Sequence, residues 1–157
     1  MKKIYTIAIF LFTISIVYAQ QFADNEYYLI DSLILSEISL DDSLNIEKGL
    51  KEYYIASNDY TRLQAIESII DNSTHTISAF QYLIVLRRLA LECLDNQDSS
   101  EKDKVGFRYF LAASFYTTGF IQKDLGDNIS AKENYLKALE IFEKDSIKWA
   151  VATTFVS

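Results

Sequence analysis

The chain has 157 residues, half of them hydrophobic, and a formal net charge of −7 at pH 7. That length suits one domain, and that hydrophobic content supplies a sizeable core, which excludes a disordered chain. An acidic surface disfavours nucleic acid and anionic lipid as partners. Proline is absent and only four glycines occur, so the main helix breakers are missing and we expect an all-α fold.

The N-terminus has the layout of a secretory signal peptide. Lys2 and Lys3 precede an apolar run over residues 4–17, and Ala19 follows as a small residue at the cleavage site. We expect cleavage after Ala19 and an exported domain, periplasmic or secreted, of residues 20–157. The alternative is an uncleaved membrane anchor, for which residues 4–17 form a short span. Cleavage leaves 13 basic and 22 acidic side chains, a net charge of −9.

The hydrophobic pattern predicts helices joined by short polar linkers. They fall near residues 26–38, 43–57, 60–71, 77–95, 102–125, 128–144 and from 146 onward. Residues 44–57 and 60–71 can form a hairpin around Asn58 and Asp59, with Ala65 in the small position of its second helix.

The helix predicted at 77–95 carries apolar residues on two stripes, so we expect neighbours to cover both. One stripe holds Phe80, Leu83, Ile84 and Leu91, and the other holds Leu86, Leu89, Ala90 and Cys93. Cys93 is the only cysteine, which excludes an intramolecular disulfide and leaves a buried, inert thiol or an intermolecular bridge. We expect the adjacent Arg87 and Arg88 to be solvated or paired with carboxylates.

Residues 112–145 read as two amphipathic helices joined by Gly126 and Asp127. Helices in a tight hairpin need small residues where their backbones cross, and Gly119, Ala131 and Ala138 supply them. Gly126 fits the left-handed position that often ends a helix. Asp127 or Asn128 can cap the next helix, or a capping box from Ser130 to Glu133 can start it one turn later.

This spacing resembles a tetratricopeptide repeat, whose two helices carry small and aromatic residues at these positions. Gly119, Ala131 and Ala138 match that pattern outright, and Phe115 and Tyr135 keep its aromatic character beside the crossing. Three positions depart from it, because Thr118 stands for Leu, Gln122 for Tyr and Glu143 for the closing Pro.

One tetratricopeptide period, about 34 residues, after Phe115 lies Trp149, the aromatic residue of a following repeat. One period before Phe115 and Gly119 lie Gln81 and Val85, which do not fit the pattern. We therefore expect a best repeat at 112–145 and the start of a further one at 146–157. Residues 146–157 have the apolar residues Phe155 and Val156 near their end. This apolar end predicts either a truncated repeat or pairing with a partner chain.

The resemblance implies a short α-solenoid of stacked antiparallel hairpins that binds a protein or peptide. Its ligand groove would follow the concave side of the first helix of each repeat, which gives Ala113, Tyr116, Phe120, Lys123 and Asp124 as contacts. The alternative is that Tyr116 and Phe120 only pack against a neighbouring helix.

The order of signal peptide, irregular helices and repeat also resembles the exported input region of bacterial sensor proteins. Those proteins continue into a membrane helix and a cytoplasmic output domain, often a histidine kinase. No output domain lies in these residues. The resemblance to sensor proteins therefore implies a role in signal transduction but no enzymatic activity. A free-standing exported protein that self-assembles through its C-terminal helix is the alternative.

No catalytic constellation stands out. His75 is the only histidine and lies in a polar, turn-like run, so we expect a plain loop residue and no metal site. Phosphate-binding glycine loops and nucleophile elbows are absent. Carboxylates beside serines at helix starts, namely Asp41, Asp42, Glu101 and Asp103, are expected to cap helices. We therefore expect neither enzymatic activity nor a cofactor.

Overall fold

The protein is all-α in a computed structural model that describes residues 24–30, 37–147, 150–151 and 154. The helices are α1 (Asn25–Tyr28), α2 (Leu40–Ile55), α3 (Asp59–Asp71), α4 (Thr76–Asp95), α5 (Glu101–Asp124) and α6 (Asn128–Lys144). Ala150, Val151 and Thr154 are also helical, and no strand occurs in the described ranges. The expected all-α fold is confirmed. The expected signal peptide (1–19) and Trp149 lie outside the described residues.

Consecutive helices from α2 to α6 pack against one another as stacked antiparallel hairpins. In addition, α3 contacts α5 across the hairpin that follows it. Those two helices therefore share one face of the stack, here called the α3/α5 face. This contact between alternate helices is how helical repeats build a continuous surface from local hairpins.

The core runs along the stack in two parts. The larger cluster includes Ile46, Leu50, Ile66, Leu83, Leu86 and Phe110, and the smaller includes Ala112, Ala138, Phe142 and Ala150. The expectation that both apolar stripes of α4 are covered was wrong for two residues. Ile84 and Leu91 are 56% and 46% exposed. They are seven residues apart on α4 and share the side that faces away from α3 and α5.

Two hairpins cross at a glycine. A Cβ atom on Gly119 of α5 would lie 3.0 Å from the Ala131 carbonyl oxygen and 3.0 Å from ring atoms of Tyr135, both on α6. A Cβ atom on Gly49 of α2 would collide with the Ile69 side chain of α3 and lie 3.2 Å from the Ala65 carbonyl oxygen. Both pairs of helices thus approach closely because one residue lacks a side chain.

The α5–α6 turn ends one helix and starts the next by known capping devices. Gly126 has φ 85°, and the N–H of Asp127 donates to the Gln122 carbonyl at 2.9 Å. The Asp127 carboxylate accepts the Ser130 N–H at 3.1 Å, so α6 begins at Asn128 and not one turn later. Farther along the hairpin, Arg108 donates to the Asp145 carboxylate at 2.8 and 3.0 Å, which ties the end of α6 to α5.

A buried carboxylate links α2 to the turn between α3 and α4. Asp42 is 2% exposed and accepts the Ser39 hydroxyl at 2.7 Å, which completes a local cap. It also accepts the Thr74 N–H at 2.7 Å, the Thr74 hydroxyl at 2.6 Å, the Ser73 hydroxyl at 3.1 Å and the His75 N–H at 3.3 Å. Burial by itself would raise the pKa of Asp42, but these hydrogen bonds outweigh it and hold the pKa well below its usual range.

Candidate ligand cavity

The α3/α5 face contains a cavity of about 210 Å³ that is partly open to solvent. Helix α6 and the described C-terminal helical residues also contribute to its wall. The lining residues are Glu67, Asp71, Tyr109, Ala113, Tyr116, Thr117, Phe142, Ala150 and Thr154. Pockets for whole drug-sized ligands are larger, about 300–1,000 Å³, so this one suits a single side chain.

Helical spacing brings the lining residues together. Glu67 and Asp71 are four residues apart on α3 and therefore lie one above the other on the same face. On α5, Tyr109, Ala113 and Tyr116 recur at the spacing of one helical face. Because Ala113 is small, it leaves room between the two tyrosines. The cavity is therefore a gap between α3 and α5, two helices that also contact each other directly.

The carboxylates of the cavity have unusual electrostatics. Burial, followed by the nearby charge of Asp71, raises the pKa of Glu67 to about 7, although a hydrogen bond from Tyr109 acts in the opposite direction. Partial burial also raises the pKa of Asp71, although its side chain is exposed to solvent. Burial and the two carboxylates raise the pKa of Tyr109 to about 12, so its hydroxyl keeps its proton and donates to Glu67.

The residues predicted from the sequence as groove contacts divide between three places. Ala113 and Tyr116 line the cavity, and Tyr116 also packs its ring 5.6 Å from the ring of Tyr135. Lys123 lines a different cavity, and Phe120 (49% exposed) and Asp124 line neither. The sequence missed Glu67, Asp71 and Tyr109. Their helical spacing was visible, but nothing in the sequence indicated that α3 contacts α5.

The second cavity, about 420 Å³, runs along α6. Its lining residues are Lys123, Asn128, Ala131, Lys132, Tyr135, Leu136, Leu139 and Thr154. The Tyr135 hydroxyl is buried and has no hydrogen-bond partner within the described part of the chain. Its wall combines aliphatic side chains with two lysines, and no carboxylate lies in the described lining, so it lacks the acidic character of the cavity on the α3/α5 face.

Arg87 corrects one expectation. Its guanidinium is half-buried and pairs with no carboxylate among the described residues; it donates to the Ser114 hydroxyl at 3.2 Å, the Ser114 carbonyl at 3.3 Å and the Thr118 hydroxyl at 3.0 Å. It also lies 4.1 Å from the centre of the Phe115 ring. Thr118 stands where the repeat pattern has leucine, and its hydroxyl accepts a hydrogen bond from Arg87. Arg88 pairs with Glu92 at 3.2 Å, as expected.

Other chemistries find little support in the described residues. No group of three or more His, Cys, Asp or Glu side chains there is placed to hold a metal ion. Burial, with smaller contributions from nearby acids, raises the pKa of the Cys93 thiol to about 11, which makes it a poor nucleophile. His75 caps α4 by accepting the Ser78 N–H at 3.4 Å. Within the same ranges, no helix is both long and apolar enough to cross a bilayer.

No protein-family model matches the chain, and neither a curated protein nor a solved structure is significantly similar to it.

Proposed function

We propose that the chain is a non-catalytic helical-repeat module that binds a protein or peptide on its α3/α5 face. The observation that carries this proposal is the cavity between α3 and α5, in which polar and aromatic side chains converge on a space of about 210 Å³. A surface of this kind takes up one side chain of a larger partner, while the rest of the partner lies along the neighbouring helices.

The residues of the cavity favour binding over catalysis. Glu67 could act as a general base, since its pKa of about 7 suits that task. However, the described part of the cavity lining contains no nucleophile activated by a base, no second acid on the opposite wall and no histidine. The acidic residues both lie on α3, so a bound group would meet them from the same side.

The tetratricopeptide assignment belongs to this proposal. It is supported by the close approach of Gly119 to Ala131 and Tyr135, which are three of the positions that carry the sequence resemblance. The contact between α3 and α5 supports it as well, because first helices of successive tetratricopeptide repeats lie side by side in such stacks. In this arrangement α3 is the first helix of a repeat with α4, and not the second helix of the hairpin with α2 that the sequence predicted.

Export and signalling complete the proposal. The signal-peptide layout of residues 1–19 supports a periplasmic or secreted location. The order of leader and repeats supports a role as the input region of a bacterial sensor. An immunoblot of source cells against residues 20–157 tests that role. A native band far above the 18.1 kDa of this chain would support it, and a band at or below that mass would contradict it.

Peptide selection tests the binding proposal directly. The purified chain would be screened against a displayed random peptide library, and selected peptides would then be measured against Ala113→Trp, which fills the cavity. We expect selected peptides to lose binding to that variant and to keep it for Glu140→Gln, an exposed change on α6 outside the cavity. Selection of no peptide, or unchanged binding to Ala113→Trp, would contradict the proposal.

Self-assembly is a second candidate, favoured by apolar residues near the α5–α6 turn. Leu125, Ile129 and Leu136 are 73%, 78% and 54% exposed. Exposed apolar side chains on neighbouring turns can pair with a second copy of the chain. Light scattering at increasing protein concentration would show a dimer that Ile129→Glu dissociates. A monomer throughout would rule this candidate out.

A further inference from the structure

The cavity on the α3/α5 face contains negative charge without a matching positive charge among the described residues. The described ion pairs join Arg62 to Asp59, Arg88 to Glu92, Lys104 to Glu101 and Arg108 to Asp145. None involves Glu67 or Asp71. The hydroxyl of Tyr109 donates to Glu67, but a neutral donor compensates a carboxylate only in part. A ligand that brings a cation would complete the site.

The walls of the cavity suit the aliphatic part of a long basic side chain. Tyr109 and Tyr116 contribute ring surface from α5, and Phe142, which is 3% exposed, contributes it from α6. Ala113 and Ala150 leave space between these rings. Lysine and arginine place their methylene groups against such apolar surface and their charge beyond it, and a cation beside an aromatic face gains further attraction.

Charge and size disfavour three other ligand classes. An anion would be repelled by Glu67 and Asp71, and by the net charge of −7. A metal ion would find only two carboxylate side chains in the described lining. A drug-sized cofactor needs a larger pocket than about 210 Å³. A single cationic side chain fits the volume, the charge and the aromatic walls.

We propose that this cavity recognises one lysine or arginine side chain of a protein or peptide partner, with Glu67 and Asp71 as its counter-charges. Tyr109 positions the Glu67 carboxylate toward the cavity. This inference rests on the proposed function and adds the chemistry of the ligand.

Proton release provides an independent signature of this site. Among the described residues, the groups that act on Glu67 are Asp71 from its own helix and Tyr109 from α5, and neither of them is cationic. The pKa of Glu67, about 7 in the free protein, would therefore fall when a cation binds beside it. Binding then releases a proton and tightens as the pH rises through neutrality.

Capped pentapeptides that differ only at the central residue test the inference. The purified full chain would be titrated with alanine peptides carrying lysine, arginine, norleucine or glutamate at the centre, followed by nuclear magnetic resonance. Norleucine keeps the hydrocarbon chain of lysine without its charge. We expect the lysine and arginine peptides to shift the signals of Ala113 and Thr117 and to bind about tenfold more tightly than norleucine.

Two charge-neutral variants locate the effect. Glu67→Gln keeps the shape and the hydrogen-bond acceptor for Tyr109, and Asp71→Asn provides a second test if the first alters folding. We expect both to weaken the lysine peptide about tenfold. Glu140→Gln, an exposed change on α6, serves as the matched control and should leave binding unchanged.

The outcomes separate this inference from the proposed function. Equal binding of norleucine and lysine peptides, preferred binding of glutamate, or no binding by either basic peptide would overturn the cationic ligand. Peptides selected from the random library that need Ala113 but contain no required basic residue would do the same, while they support peptide binding. Failure of the library selection itself would overturn the proposed function.

Discussion

Tyr109 on α5 donates its hydroxyl to the Glu67 carboxylate on α3, and this hydrogen bond joins the two helices of the α3/α5 face. The same pair forms the polar part of the cavity wall. Glu67 therefore has two roles. It helps to hold α3 against α5, and it carries a charge that no other described residue neutralises.

Replacing Glu67 with glutamine should change how stability depends on pH. The pKa of Glu67 is raised from 4.5 to about 7 in the folded protein, so the folded state holds its proton more tightly than the unfolded chain does. Its contribution is therefore largest below about pH 4.5 and is lost as the pH rises to about 7. Solvent in the open cavity screens this carboxyl, so we expect the free energy of unfolding of the wild type to fall by only about 1–2 kcal/mol over this pH range. Glu67→Gln should not show this fall.

Urea unfolding followed by circular dichroism at about pH 5 and about pH 8 measures this difference. Asp71 changes in the same direction, since its pKa is raised as well, so the comparison with wild type isolates Glu67. Glu140→Gln is the matched control. Parallel pH profiles for wild type and Glu67→Gln would show that the carboxyl is not buried as described.

Asp42→Ala should be among the most destabilising polar substitutions. It removes the acceptor of two backbone N–H groups and of hydroxyls from Ser39, Ser73 and Thr74. We expect a loss of about 2–4 kcal/mol, because several partly buried hydrogen bonds to one buried carboxylate are lost at once. The exposed neighbour Asp41 is the control, for which alanine should cost less than about 0.5 kcal/mol.

The pH dependence of that loss follows from the lowered pKa of Asp42. A carboxyl with a depressed pKa stabilises the fold above its unfolded value, about 3.9, and loses that contribution as the pH falls through the folded value. Unfolding experiments at neutral and acid pH should therefore show the gap between wild type and Asp42→Ala closing only in strong acid. A gap that is constant down to the lowest pH would contradict this account.

Alanine substitutions at three glycines should rank by what the new methyl group meets. At Gly49 it meets the fully buried side chain of Ile69, and we expect a loss of about 1–3 kcal/mol. At Gly119 it meets a backbone oxygen at 3.0 Å and a ring that can shift, so the loss should be about 1 kcal/mol.

Gly106→Ala is the matched control for both. Its methyl group would meet only the ring of Tyr60, which is 46% exposed and can move. The higher helix propensity of alanine should then leave stability equal or raise it by up to about 1 kcal/mol. Thermal melting of the three variants gives the order, and a Gly49 variant as stable as the Gly106 variant would mean that α2 and α3 do not cross as closely as described.

Much of this fold could be predicted from the sequence, because hydrophobic spacing and capping residues are local signals. The helices expected at 60–71, 77–95 and 128–144 agree with the structure to within one residue at each end. The close approach at Gly119 follows from small residues on both helices. The role of Gly49 did not emerge, because its contact with Ile69 has no signature within one helix.

The cavity and the Asp42 network could be predicted only in part. Asp42 reads as a helix cap, which it is, but its bonds to residues 73–75 cross about 30 residues of chain. Likewise, Tyr116 could be proposed from the repeat pattern, whereas Glu67 becomes a site residue only when α3 packs beside α5. Long-range packing decides both, and hydrophobic periodicity does not encode it.

Arg87→Lys tests the one expectation about charge that was wrong. Lysine cannot reproduce the forked donation to Ser114 and Thr118 or the contact with the Phe115 ring. We expect a loss of about 1–2 kcal/mol, measured by urea unfolding. Arg88→Lys, in which the exposed pair with Glu92 is kept, should change stability by less than about 0.5 kcal/mol. Equal effects of the two variants would contradict the described role of Arg87.

Mapping a selected peptide on the folded chain shows whether the partner binds the α3/α5 face. Nuclear magnetic resonance of the labelled protein would follow each backbone signal while the peptide is added. Binding on the α3/α5 face predicts shifts at Glu67, Tyr109, Ala113 and Thr117, all of which line the cavity. Shifts confined to the exposed α5–α6 turn would show that the partner binds there and not on the α3/α5 face.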